Sequence, residues 1–155
     1  MIRQNREQIS HALETTFNEI LDKRMRDLPV VNASLSVQAV GFNRFGEDWL
    51  GVLITPWFMN LMLLPGPNSH WREQQPGTKI EKHFPYGAFE FTLGSEPQMG
   101  IYALCSLFSP MFRFENQAAA LAAAQSALQG LLAEVAPRAV SRRDLLRGAI
   151  GKGNR

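Results

Sequence analysis

The sequence predicts an α+β domain: a mostly antiparallel sheet of about five or six strands, packed by an N-terminal and a C-terminal helix. Three observations carry this. Apolar residues recur at three- and four-residue steps before Pro29, at steps of two or in short runs from about Leu35 to Phe108, and again within an alanine-rich stretch after Glu115. The connections in the middle section are short and built on glycine and proline, and such loops join antiparallel strands, since parallel neighbours need longer crossovers. The chain has 155 residues, 45% hydrophobic and 19% charged, which suffices for one buried core.

The first helix places Ile9, Leu13, Phe17, Ile20, Leu21 and Leu28 on one stripe, with Glu14 and Lys23 outside it. Pro29 ends it, because proline lacks the amide donor and clashes with the preceding turn. The stripe packs on the sheet or serves a partner. Strands are expected at Val37–Phe45, Trp49–Thr55, Met59–Leu64, Thr78–Lys82, Ala88–Leu93 and Ile101–Phe108. Gly46-Glu47-Asp48 reads as the first hairpin turn, and Pro65-Gly66-Pro67-Asn68, Gln75-Pro76-Gly77 and Pro85-Tyr86-Gly87 as later connections. The second helix, Glu115 to about Glu134, draws its apolar contacts from Phe114, Leu121, Leu128, Leu131 and Leu132, and its alanines allow a close approach to the sheet. Both helices are expected on one sheet face.

Pro137 divides the chain into a body, 1–137, and a tail, 138–155. The body carries a net charge of −3 and the tail +5, from Arg138, Arg142, Arg143, Arg147, Lys152 and Arg155 against Asp144. Apolar runs such as Met59–Leu64 fall far below the ~18–20 residues of a membrane span. Charged residues scattered through the first 25 positions argue against a secretory signal, so a cytoplasmic location is expected. No nucleic-acid partner is expected.

No catalytic constellation stands out: there is no Gly-x-Ser-x-Gly elbow and no phosphate-binding loop. The three histidines, His11, His70 and His83, lack ligand spacing, and the single Cys105 excludes an intrachain disulfide, so no metal or cofactor is expected. Cys105, inside an apolar strand, is either an inert packed thiol or a reactive one. The densest segment runs from Trp49 to Trp71. Its tryptophans, with Phe58, Met59 and Met62, exceed what a one-sided core needs; either both sheet faces are covered or Trp57, Met59 and Met62 form a binding surface. The loops at Pro65, Gly66 and Pro67 and at Pro85, Tyr86 and Gly87 are expected to border that surface. The tail segment Ser141-Arg142-Arg143-Asp144-Leu145-Leu146-Arg147 has the residue order of a twin-arginine signal without the apolar stretch that follows in one. It reads either as an imitation of such a signal, through Arg142, Arg143, Leu145 and Leu146, or as a capped basic helix packed by its leucines.

The block Trp49-x-Gly51-x-x-Ile54-Thr55-Pro56-Trp57, followed by Pro65-Gly66-Pro67 and Trp71, resembles the HybE/HupJ/HoxT family of [NiFe]-hydrogenase assembly chaperones. Pro85-Tyr86-Gly87, Phe91-Thr92-x-Gly94 and Cys105-Ser106-Leu107-x-Ser109-Pro110-Met111 continue the match in the same order. The resemblance implies a non-catalytic accessory protein that binds a hydrogenase subunit precursor, through its body or its twin-arginine signal, until the metal centres are assembled. Other maturation proteins or a separate rubredoxin are further partners it implies. The alternative is a redox or oxygen-protective accessory protein acting on cluster maturation through Cys105 or a rubredoxin partner.

Overall fold

A computed structural model of the chain describes residues 5–133. Helix α1, Arg6–Ile20, begins where the Asn5 side chain accepts the Gln8 backbone N–H at 2.9 Å. It buries Ile9, Leu13 and Phe17, and runs into a π-helical turn, Leu21–Met25. The helix ends with this turn, short of Pro29, and residues 26–30 form irregular turns. Leu28 is therefore 46% exposed rather than part of the stripe, which ends at Leu21.

Six strands follow: β1 Gln38–Phe45, β2 Asp48–Ile54, β3 Met59–Pro65, β4 Lys79–Phe84, β5 Gly87–Glu96 and β6 Gly100–Phe108. They form one antiparallel sheet in the order β1-β2-β3-β6-β5-β4. Helix α2, Gln117–Leu132, closes the described chain, with Asn116 accepting the Ala119 N–H at 2.9 Å. The α+β class and each expected strand are present.

The helices lie on opposite faces of the sheet, not on one. α1 packs with Phe42, Trp49, Leu53, Met62, Leu64 and Tyr102, whereas the α2 side holds Val40, Leu50, Val52, Ile54, Met59, Leu61 and Leu63. These sets alternate along β2 and β3, as the two-residue period requires. Every residue of β2 is buried because both of its faces are covered. This accounts for the surplus of apolar residues between Trp49 and Leu64.

α2 meets the sheet through Ala120, Ala124, Ala127 and Leu131, all essentially inaccessible. The expected leucine contacts are a smaller part: Leu121 and Leu128 pack only partly, and Leu132 is 44% exposed. Small side chains bring the helix so close that a Cβ on Gly41 would lie 2.7 Å from Leu128 Cδ1. Gly41 also has φ of +65° at a bulge in β1, where Val40 pairs with Val52 but Asn43 with Leu50. The extra residue turns Phe42 to the α1 face, over Gly51.

The sheet coils strongly. Neighbouring strands rotate by roughly 20–25°, so five steps turn β4 by about 100–125° relative to β1. The sheet also curls, so that its edge strand β4 meets the first hairpin: the Phe84 ring stacks on Phe45 with centroids 4.9 Å apart, and Lys82 Nζ lies 3.2 Å from Asp48.

Tyr102 sits on the α1 face, edge-on to Phe17 at 6.2 Å. Burial, and then the nearby Glu96 carboxylate, push its phenol up to about 12, against a smaller opposing effect of Arg24. In the unfolded chain the phenol ionises first, near its ordinary value of about 10. The folded state then holds the extra proton, so the contribution of Tyr102 to stability is present below about pH 10 and falls as pH rises towards 12. Urea unfolding between pH 9 and 12 should show a downward slope that Tyr102→Phe reduces; an equal slope in both proteins would exclude Tyr102 as its source.

Candidate functional site

Two ends of the β2–β3 ribbon carry the residues singled out by sequence. At the first lies Asp48, which opens β2 rather than ending the turn before it. It is 1% exposed, and its carboxylate accepts from the Ser69 hydroxyl, from Trp71 Nε1 at 3.2 Å, and from Lys82 Nζ at 3.2 Å. A buried carboxylate is tolerable only with such partners. One residue thereby ties together the first hairpin, the loop after β3 and the edge strand β4. The Gly66 N–H donates to Glu47 O at 3.0 Å, and a Cβ on Gly66 would overlap that oxygen, so glycine is required for this close approach. Pro67 projects into solvent beside it.

Pro85-Tyr86-Gly87 begins directly after Phe84, which stacks on Phe45, and so belongs to this same end. Tyr86 is buried, with its N–H donating to Leu131 O at 3.1 Å. The two proline–glycine loops therefore flank one hairpin.

Trp57 occupies the other end, beyond Ile54. Six residue steps along β2 at ~3.4 Å each put about 20 Å between them. The turn Thr55–Phe58 is fixed by the buried Thr55, whose Oγ1 accepts from the N–H groups of Phe58 at 2.9 Å and Trp57 at 3.2 Å. Trp57 is half-buried, edge-on to Phe58 at 5.6 Å, and Phe58 is edge-on to Phe17 at 6.1 Å.

Asn32 pins two further loops to this turn. Its backbone N–H donates to Pro56 O at 2.9 Å, and its side-chain amide donates to Met111 O and Phe114 O, each at 3.0 Å. These loops bear Leu28, Val30 and Phe112, three of the four exposed large hydrophobic residues among the described residues, with Phe112 at 56%. Asn32 thus ties two loops that carry exposed apolar side chains to the turn that carries Trp57.

Met59 and Met62 are fully buried and on opposite faces, Met59 towards α2 and Met62 towards α1, so they underlie the surface and do not line it. Cys105 is 3% exposed, within the α2-side core. Arg142, Arg143, Leu145 and Leu146 lie outside the described residues, as does the boundary at Pro137. Among the described residues no group of His, Cys, Asp and Glu is placed to hold a metal ion, and no helix is long and apolar enough to cross a membrane. Sequence reading missed Asn32, Asp48 and Phe112. A lone carboxylate heading an otherwise apolar strand, with Ser69 and Trp71 downstream, was the available sign for Asp48. Asn32 and Phe112 sit in irregular loops with no periodicity to expose them.

The family model described as "[NiFe]-hydrogenase assembly, chaperone, HybE" matches residues 8–148. The hydrogenase expression/formation protein HupJ of Bradyrhizobium diazoefficiens is 40% identical over 149 residues, covering 89% of this chain and 86% of that protein. The probable rubredoxin HupJ of Rhodobacter capsulatus is 41% identical over 130 residues, covering 83% of this chain; the chain spans only 46% of that protein's length. The solution structure of HybE from Escherichia coli superposes with a TM-score of 0.66 at 26% identity, covering 84% of this chain and 86% of that one. The sheet, the two flanking helices and the family match agree, and the chain belongs to the HybE family of [NiFe]-hydrogenase assembly chaperones.

Proposed function

We propose that the protein is an accessory chaperone in the maturation of an exported [NiFe] uptake hydrogenase. It binds a subunit precursor, through its body or its twin-arginine signal, until the metal centres are assembled, and acts by binding rather than catalysis. Handling a precursor before export places it in the cytoplasm. The observation that carries this reading is the apolar end around Trp57, where Leu28, Val30 and Phe112 are exposed on loops held by Asn32. An apolar stretch of a precursor would find there the surface that a soluble chain does not otherwise leave open. Pro65-Gly66-Pro67 and Pro85-Tyr86-Gly87, about 20 Å away, would contact an extended client at its far end.

The test is recovery of the full chain from cells making the hydrogenase, with bound species identified by mass. The expected species is a subunit precursor that retains its signal. Recovery of the signal-free subunit alone would remove the signal from the reading, and absence of every hydrogenase subunit would defeat it.

The second reading, a redox or oxygen-protective role, draws on the relative named as a probable rubredoxin, which extends well beyond the matched region. A separate rubredoxin is the partner it calls for. Cys105 is poorly placed for such a role, being 3% exposed. Cys105→Ser should leave client capture intact and cost about 1 kcal/mol of stability, as for a hydroxyl set into an apolar core. Normal folding together with hydrogenase maturation lost specifically in air would favour the redox reading.

A further inference from the structure

A groove of about 470 Å³ runs between β1 and the C-terminal half of α2, and no residue of the Trp57 turn lines it. Val40, Phe45 and Leu50 line the sheet side, and Leu128 and Leu132 the helix side. The exposure of Leu132 at 44% is thus not an isolated surface leucine but one wall of an apolar channel. Its polar lining residues are Asn43, Arg44, Gln125 and Gln129, with no carboxylate among the described residues.

We propose that this groove seats the chain's own segment that follows α2, with Leu145 and Leu146 as the apolar contacts. Three observations identify the occupant. The described chain ends on the rim of the groove, because Leu132 lines it and the next residue, Ala133, is extended. The family match does not end with α2 but continues past Ala133 to residue 148, so the family pattern includes the sequence that follows the helix. That stretch holds a pair of adjacent leucines amid arginines; the groove offers the leucines apolar walls at Val40, Phe45, Leu50, Leu128 and Leu132, and among the described residues its charged lining residue is Arg44, so it has no carboxylate to draw in the arginines. A short tether supplies an effective concentration of about the millimolar range, so a contact too weak to form between separate molecules holds within one chain.

The experiment uses the full chain with Cys105→Ser and Gln129→Cys, carrying a nitroxide at residue 129 on the groove wall. The amide signals of residues near 145 and 146 should lose most of their intensity, while Leu132→Glu, or Leu145→Asp with Leu146→Asp, restores them and leaves the sheet signals unchanged. The effect should persist in high salt. Tail signals untouched by the label would overturn the proposal. So would broadening seen only between a labelled and an unlabelled molecule, which would make a second copy the occupant, or broadening abolished by salt, which would make it a charge contact elsewhere.

Discussion

Lys82→Met should lower the unfolding free energy by about 3 kcal/mol, at the lower end of the range for breaking a buried ion pair. Methionine keeps the apolar stem but removes the charge opposite Asp48, whose carboxylate is 2% exposed and would retain only the Ser69 and Trp71 donors. The cost falls on the carboxylate, because Lys82, with 19% of its side chain exposed, reaches water more readily than Asp48 does. Removing both charges, with Asp48→Asn added to Lys82→Met, should recover part of the loss, since the amide needs no countercharge. Urea unfolding of the two single variants and the double variant measures this coupling. A loss below about 1 kcal/mol for Lys82→Met would show the pair behaving as an ordinary surface salt bridge.

That ion pair also marks the limit of what the sequence discloses. The strands were legible because an apolar residue every second position is a local pattern, and β1 to β6 fall within a few residues of their expected bounds. The side of the sheet on which each helix lies was not local. It follows from the long-range register that sets Leu53 and Met62 towards α1, and Val52 and Leu61 towards α2. Asp48 was hidden because it adjoins a glycine turn, where an acidic residue is ordinary. Only the coiling of the sheet, which returns Lys82 to the first hairpin, makes it the centre of a network. The site shows the same division. Trp57 stood out by composition, but the exposed Leu28, Val30 and Phe112, 27 or more residues away in sequence, lie on loops tied to its turn through Asn32. Met59 and Met62 stood out equally and are core residues, because composition alone does not separate a two-sided core from a binding face.

Trp57→Ala should weaken binding of a hydrogenase precursor by about 2 kcal/mol, roughly 30-fold in Kd, as removal of an aromatic anchor at the centre of an interface does. The tryptophan is partly buried and packs edge-on against Phe58, so truncation also costs some stability, and affinity must be read on protein shown to be folded. Phe112→Ala separates the two effects. Phe112 is 56% exposed, so its loss should leave the unfolding transition nearly unchanged while still reducing affinity several-fold if it faces the client. Asn32→Ala gives the third arm, because without its amide the Met111 and Phe114 carbonyls lose the donor that positions the Phe112 loop. Its affinity should fall although no client contact is removed, and the loss should not add to that of Phe112→Ala. Titration of the purified precursor with each folded variant decides the matter. Unchanged affinity for both Trp57→Ala and Phe112→Ala would take the client away from this end of the molecule. A loss confined to Trp57→Ala would reduce the surface to its tryptophan, and additive losses for Asn32 and Phe112 would show that the loops bind separately rather than as the single platform their hydrogen bonds describe.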